Sequence, residues 1–262
     1  MKRSFFLSLI GATCLIFVGS GSLFAEPSKA KGWEVGAEMS HITYKEPGVM
    51  QEKGIMYGID GSYVYHNNFM LKAEGRFSYG QVDYKNSGTM DNIDDYILEF
   101  RGLGGYDFPV KSFIFTPYIG FGYRYLNDDM GGRYSSTGAF GYERESNYFY
   151  SPIGIEVITP LKNEWFVGGT VEYDYFWEGK QKSYLGWKPG YYDIENDQDE
   201  GYGYRGSIKL EKKTVKIDFI IEPFVRYWNI KNSKITTDPG GTSWIEPKNN
   251  STEIGCKFGT KF

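Results

Sequence analysis

The stretch FMLKAEGRFSY, residues 69–79, alternates between two kinds of side chain. Its odd-numbered positions are apolar, aromatic or small, whereas the even-numbered positions from Lys72 to Ser78 are charged or polar. Because successive side chains of a strand point to opposite faces, the pattern predicts a β-strand with one apolar and one polar face. The stretch is longer than the usual strand of about five or six residues, and it suits a strand that crosses a bilayer at a tilt.

Nine further segments show the same alternation, and the connections between them differ in length. The segments are 32–43, 54–65, 95–106, 113–125, 148–159, 165–177, 202–211, 215–227 and 252–262. Short connections lie near 66–68, 107–111, 161–164 and 212–214, and long polar or glycine-rich ones near 44–53, 81–94, 126–147, 178–201 and 231–251. Short turns on one side and long loops on the other are typical of outer-membrane barrels. We therefore predict an all-β fold: an up-and-down antiparallel transmembrane β-barrel of about ten strands, closed by pairing of the first and last.

Aromatic residues make up 18% of the chain, and many fall at the ends of the predicted strands. Trp33, Phe69 and Trp165 lie on the turn side, and Tyr79 and Trp177 lie toward the loops. Amphipathic rings at these two levels suit the headgroup zones of a membrane. A soluble β-sandwich with an aromatic core is the alternative, but it does not require long strands joined by connections of alternating length.

The first 25 residues have the three parts of a secretory signal peptide. A positive start, Lys2 and Arg3, precedes an apolar run at 5–18 and the small-residue stretch GSGSLFA at 19–25. The apolar run is short for a helix that spans a membrane. We predict cleavage after Ala25.

Cleavage there divides the chain into a signal peptide, 1–25, and an outer-membrane β-barrel domain, 26–262. The signal removes two of the 29 basic residues, so the domain has a net charge near −6 (27 minus 33). This mild acidity argues against nucleic acid as a partner. A lipoprotein signal centred on Cys14 is an alternative; with cleavage after Ala25, only Cys256 remains, which excludes an intrachain disulfide and a cysteine-rich zinc site.

The polar faces of the predicted strands point into the barrel and carry nearly balanced charges. We expect a lumen charge network of Glu74, Arg76, Glu99, Arg101, Arg124, Glu172, Asp174, Arg205, Glu222 and Arg226. A small barrel is nearly filled by its own side chains, and unpaired ions inside it are costly, so opposite charges should pair across the lumen. This favours a solid, salt-bridged scaffold, with a narrow charge-lined pore as the alternative.

The last predicted strand ends on Phe262, after apolar residues at alternate positions that include Phe258. This strand resembles the C-terminal signal of bacterial outer-membrane barrels, although Thr260 departs from the aromatic residue often found there. The resemblance implies a location in the cell outer membrane. It also implies outer-membrane lipid, lipopolysaccharide and the barrel-assembly machinery as partners.

The chain is also similar to the omptin proteases in length, predicted strand count and loop layout. Gly168, Gly169 and Thr170, followed by Glu172 and Tyr173 ahead of a long loop, look like the corresponding omptin stretch. Omptins activate water between an Asp pair on one rim of the barrel and an Asp–His pair on the other.

The omptin catalytic pattern is incomplete in this sequence. Asp91, Asp94 and Asp95 could stand for the Asp pair, but their spacing does not match. The two histidines, His41 and His66, fall near a strand end and in a short turn, so the usual general base near neutral pH is missing from the loops.

We expect a non-enzymatic protein with an envelope-structural or surface-contact role, and we predict no catalytic, cofactor or metal site. A narrow porin-like channel for ions or small solutes is the first alternative, and an omptin-like outer-membrane protease is the second. The acidic run at 193–200 could bind calcium, although it does not match an EF-hand. The aromatic loops at 131–142 and 184–192 could contact a surface ligand.

Overall fold

The computed structural model describes residues 31–262, and it consists of β-strands, turns and loops. The predicted signal peptide and its cleavage after Ala25 lie outside the described residues. The strands are β1 (Lys31–Glu46), β2 (Met50–Asn67), β3 (Phe69–Asn86), β4 (Gly88–Tyr106), β5 (Phe108–Val110), β6 (Phe113–Asp129), β7 (Glu143–Pro160), β8 (Trp165–Tyr184), β9 (Ile194–Gln198), β10 (Gly201–Lys212), β11 (Asp218–Ile230), β12 (Thr236–Thr237), β13 (Ser243–Trp244) and β14 (Asn249–Lys261). Within this range, no helix has the length and apolar character needed to cross a membrane.

Ten of these strands close into one antiparallel barrel. The ring runs β1, β2, β3, β4, β6, β7, β8, β10, β11 and β14, and β14 pairs back onto β1. At the closing seam, Trp33 and Phe262 exchange two backbone hydrogen bonds of 2.9 and 3.0 Å. Every long strand therefore has two neighbours and none leaves an open edge, as a barrel in lipid requires. The predicted fold class and the predicted seam are confirmed.

The strands are longer than the sequence predicted, and two of the predicted long loops are wrong. Residues 44–53 and 81–94 are mostly paired strand, joined by tight turns at 47–49 and at Ser87. The outward side chains become polar at Lys53 and Gln81 because the strands continue past the membrane into water. By contrast, β11 begins later than predicted, at Asp218 rather than at residue 215, because Val215 lies fully exposed in the turn before it.

The outer wall carries a continuous apolar belt. Exposed large side chains such as Ile59, Leu71, Ile119, Val171 and Phe258 face outward from different strands. Aromatic pairs mark its turn side, where Trp33 packs on Tyr63 and Phe69 on Tyr106, with ring centroids about 5 Å apart. A soluble monomer rarely exposes so large an apolar surface, so the belt is the surface that faces lipid.

Inside the wall, aromatic side chains cover glycines on the neighbouring strand. A Cβ at Gly122 would lie 2.3 Å from the ring of Tyr150, and one at Gly154 would lie 2.4 Å from the ring of Tyr118. Both glycines are needed because a ring rests directly on the backbone. Each ring therefore lies against the wall, over the backbone of the neighbouring strand.

Candidate functional site: the filled lumen and the loop-side rim

Arg76 on β3 lies at the centre of the lumen and binds three carboxylates from three other strands. Its guanidinium donates to Glu38 on β1 at 2.7 Å, to Glu99 on β4 at 3.1 Å and to Glu253 on β14 at 2.8 Å. Arg226 on β11 binds two of the same carboxylates, Glu38 at 3.0 Å and Glu253 at 2.9 Å. Arg76–Glu99 and Arg226–Glu253 join neighbouring strands of the wall. The contacts of Arg76 with Glu38 and Glu253 and of Arg226 with Glu38 join strands that are not neighbours, so these three reach across part of the lumen.

A second pair of arginines extends the network toward β8. Arg205 binds Glu99 at 2.9 Å and Asp174 at 2.7 Å, and Arg101 binds Glu172 at 2.5 Å. Two tyrosine hydroxyls also donate hydrogen bonds to these carboxylates. Tyr150 donates to Glu99 at 2.6 Å and Tyr118 donates to Glu172 at 2.7 Å.

On the turn side of the arginines, lysines pair with a further set of carboxylates. Lys209 binds Glu34 at 2.7 Å, and Lys257 lies 2.8 Å from Asp60 and 3.6 Å from Glu222. A cavity of about 130 Å³ lies among Lys257, Asp60, Glu222 and the arginines.

The ten residues of the predicted lumen charge network all project into the barrel, but they are not equivalent. Nine take part in ion pairs: Glu74, Arg76, Glu99, Arg101, Glu172, Asp174, Arg205, Glu222 and Arg226. Arg124 is also buried, yet within residues 31–262 no carboxylate lies within 4 Å of it, and its guanidinium stacks over the ring of Trp228 at 5.5 Å. Glu34, Glu38 and Glu253 also form ion pairs within this network.

Two apolar clusters lie on the loop side of the ions. The first contains Ile42, Met56, Val82, Met90, Ile93, Ile97 and Met130, and the second contains Tyr148, Tyr150, Phe176, Trp228 and Ile230. Leu126 packs against both clusters and joins them. A layer of this kind excludes water, so the interior changes from ionic to apolar toward the loop side.

The two histidines lie far apart from the aspartates that could have stood for an omptin site. His41 faces outward on β1, opposite Ile55 and Ile254. Asp94 faces outward and accepts a hydrogen bond of 2.6 Å from the hydroxyl of Tyr79, whereas Asp95 is buried inside the barrel. The arrangement does not bring an Asp–His pair to the loop-side rim in the part of the chain that the structure describes.

His66 instead forms a clamp at the turn side of the barrel. Its Nδ1 lies 2.8 Å from Asp107 Oδ2, and the hydroxyl of Thr116 donates to Asp107 Oδ1 at 2.8 Å. Asp107 also donates its backbone N–H to the carbonyl of Asn68 at 2.7 Å. The clamp therefore ties the β2–β3 turn to the connection after β4.

Replacing Asp107 with Ala should lower the free energy of unfolding by about 1–3 kcal/mol, because the buried hydroxyl of Thr116 and the ring of His66 lose their shared partner. Urea titration of the refolded barrel measures the effect. Asp197→Ala, at an exposed position on β9, is the matched control and should change the free energy of unfolding by less than about 0.5 kcal/mol. Equal midpoints for the two variants would contradict the structural role of the clamp.

Comparison with known proteins agrees with this geometry. Residues 11–199, well over half of the chain, match the outer membrane protein beta-barrel domain family. The chain belongs to this family. The match includes seven complete strands of the barrel described above, β1 to β4 and β6 to β8, together with the short strands β5 and β9.

Several solved structures resemble this outer-membrane barrel in fold. The outer membrane protease OmpT of Escherichia coli is 12% identical over 90% of this chain and 98% of its own, with a TM-score of 0.61. Two others superpose more loosely. The toluene transporter TodX of Pseudomonas putida is 8% identical over 90% of this chain and 90% of its own, with a TM-score of 0.36. Neisserial surface protein A is 14% identical over 88% of this chain and 97% of its own, with a TM-score of 0.34. At these identities the likeness to OmpT shows the fold alone. No curated protein matches the sequence.

The loop-side rim of the barrel carries an aromatic platform, which we define as Phe140, Trp187, Tyr191 and Trp244. It is assembled from three connections: β6 to β7, β8 to β9, and β11 to β14. The ring of Phe140 lies 5.2 Å from that of Tyr191 and 6.1 Å from that of Trp187, and Tyr191 lies 6.5 Å from Trp244. The ammonium of Lys188 rests 3.4 Å above the ring of Phe140. Loops that were predicted as separate ligand-contact candidates thus form one surface.

A second rim feature is a buried acidic cluster that the sequence did not predict. Arg144 on β7 binds Glu46 at 2.7 Å and Glu52 at 3.1 Å, and it also binds Asp128. Glu246 lies beside these groups. The cluster was missed because residues 44–53 and 126–147 were interpreted as loops; continued inward alternation from Glu38 through Ser40 and Ile42 to Glu46 could have revealed it.

The acidic run at 193–200 does not converge on one point. Asp193 accepts the backbone N–H of Gly186, Glu195 pairs with Lys180, and Asp199 pairs with Lys234. Among residues 31–262, no group of three or more acidic, histidine or cysteine side chains is arranged to hold a metal ion. The run forms two separate surface ion pairs and one hydrogen bond with the backbone.

Proposed function

We propose that this outer-membrane barrel is a non-enzymatic, non-conducting scaffold with an envelope-structural or surface-contact role, and that its contacts are made by the extracellular rim. The observation that carries the proposal is the filling of the lumen. Arginine–carboxylate pairs cross the barrel, and two apolar clusters close it on the loop side. A solute path would have to break both layers.

The composition of the aromatic platform supports a contact role. Tyr and Trp offer large, rigid contact area at low entropic cost, and Gly and Ser supply adaptable backbone, which is the composition of binding loops in general. Trp187 and Tyr191 are exposed, and they are held in place by neighbouring rings rather than left mobile. Such a surface is available for a ligand outside the cell.

The first alternative is a narrow porin-like channel, which the cavity of about 130 Å³ among the lumen ions favours. The second is an omptin-like protease, which the fold shared with OmpT favours. Peptide cleavage by the refolded barrel tests the second alternative directly, and turnover above that of a mock-refolded sample would overturn the non-enzymatic proposal.

Liposome swelling tests solute passage. Vesicles that contain the refolded barrel should swell in isosmotic arabinose no faster than protein-free vesicles, because the ion layer and the apolar clusters leave no continuous water path. Vesicles with a general porin are the positive control. Swelling that scales with the amount of folded barrel would replace the scaffold proposal with the channel.

A further inference from the structure

The connection from β11 to β14, residues 231–248, lies over the mouth of the barrel and inserts one carboxyl group into it. Glu246 is only 6% exposed. Its backbone is fixed to the start of the same connection, since its N–H donates to Ser233 Oγ at 2.8 Å and its carbonyl accepts from Ser233 N–H at 3.0 Å. Its Oε1 atom is buried without a hydrogen-bond partner among the described residues. Buried polar atoms in folded proteins nearly always have a hydrogen-bond partner, so an unpartnered one needs a physical explanation.

Around Glu246, carboxyl groups outnumber cations. From the elements packed against it, the titratable groups are Tyr44 and Glu46 on β1, Asp128 on β6, Tyr142 in the β6–β7 loop, and Arg144 and Tyr148 on β7. The charge of Arg144 is shared among three carboxylates already, those of Glu46, Glu52 and Asp128. Glu246 therefore adds a further carboxyl group to a cluster in which three carboxyl groups already share one guanidinium.

Excess negative charge at a buried site has to be neutralised, by a cation or by protons. The carboxylates here do not converge as ligands around a common point, as noted above for the described residues. Protonation needs no such geometry. Burial, reinforced by the charge of Glu46, raises the pKa of Glu246 to about 8, against the opposing influence of Arg144.

We propose that Glu246 is a proton-controlled latch: its neutral carboxyl group holds the β11–β14 connection over the barrel mouth, and its ionisation loosens that connection. The latch also bears on the aromatic platform, because Trp244 is only two residues away. The indole N–H of Trp244 donates to Asp238 at 2.8 Å, and its ring packs on Tyr191. Loosening the connection separates Trp244 from the rest of the platform. This consequence for ligand contact rests on the proposed function, whereas the latch itself does not.

The direction of the pH dependence follows from linkage. The docked connection holds the proton of Glu246 more tightly than the undocked one, in which the carboxyl group has its ordinary pKa of 4.5. Docking is therefore strongest below pH 4.5 and weakens by up to about tenfold per pH unit between 4.5 and about 8, where the docked carboxyl group itself ionises. Above that range no further weakening from Glu246 is expected.

Hydrogen exchange of the refolded barrel in lipid vesicles tests the latch. After correction for the intrinsic pH dependence of exchange, the amides of residues 233–246 should exchange about tenfold faster or more at pH 8 than at pH 6. Glu246→Gln, which is neutral at both values, should keep exchange slow at both. Glu195→Gln, an exposed carboxyl group on β9, is the matched control and should behave like the natural protein.

Two results would overturn the latch: corrected exchange that is equal at pH 6 and pH 8, or a Glu246→Gln variant that responds to pH as the natural protein does. A second variant tests the latch without a substitution at residue 246 itself, in case that substitution disturbs folding. Glu46→Gln removes the neighbouring charge and should move the midpoint of the pH response down. Slow exchange at pH 8 with calcium, but not with EDTA, would assign the cluster to a metal ion instead. None of these outcomes depends on whether the barrel conducts.

Discussion

Replacing Arg76 with Met should lower the free energy of unfolding by about 3–5 kcal/mol, because the carboxylates of Glu38, Glu99 and Glu253 stay in the lumen without their shared cation. The Arg76 side chain is 6% exposed, so water cannot replace the guanidinium without opening the barrel. Urea-dependent unfolding in vesicles, followed by the shift in gel mobility between folded and unfolded barrel, measures the loss.

A matched pair of variants distinguishes this effect from a general loss of charge. Lys180→Met breaks an ion pair with Glu195 whose members are both more than half exposed, and such pairs contribute at most about 1 kcal/mol. Adding Glu253→Gln to Arg76→Met removes one of the stranded charges and should recover part of the stability. If Arg76→Met is no more harmful than Lys180→Met, the lumen network is not what holds the barrel together.

Replacing Gly122 with Val should cost about 2–4 kcal/mol, because any Cβ at this position overlaps the ring of Tyr150. Displacing that ring also withdraws its hydroxyl from Glu99 and from Arg205, so one steric change disturbs the ionic layer and the apolar layer together. The double-mutant cycle with Tyr150→Ala provides the check. The two single losses should add to more than the loss in the double variant, since the clash is absent once the ring is gone.

The control for this prediction is Gly102→Ala on β4. A Cβ at Gly102 meets no atom within 4 Å, since the position faces outward. Alanine there should be tolerated to within about 0.5 kcal/mol. Strict additivity in the Gly122–Tyr150 cycle, or equal costs at Gly122 and Gly102, would show that the ring does not rest on the glycine.

The sequence predicted the barrel well because lipid and lumen impose opposite demands on alternate residues. The alternation with a period of two along 69–79 and in the other segments follows directly from that constraint. The alternation does not show where a strand ends. Above the membrane both faces can be polar while backbone pairing continues, and so the outer parts of β1 to β4 were interpreted as loops.

The partners within the lumen could not be predicted in the same way. Which residues face inward follows from the alternation, but which charges meet depends on the tilt and stagger of the closed barrel. Arg76 of β3 meets Glu253 of β14, which is 177 residues away along the chain. For the same reason Arg124 was predicted as a network member, although in the structure it stacks on Trp228.

Single-channel recording of the refolded barrel in a planar lipid bilayer tests the central claim, that the lumen is closed, most directly. The filled lumen predicts no reproducible conductance steps from protein whose folded state is verified by its gel mobility, under conditions in which a general porin gives clear steps. Stable steps of uniform size, retained at both pH 6 and pH 8, would contradict the account, because they would require a continuous water path through the ion pairs of Arg76 and the apolar clusters above them.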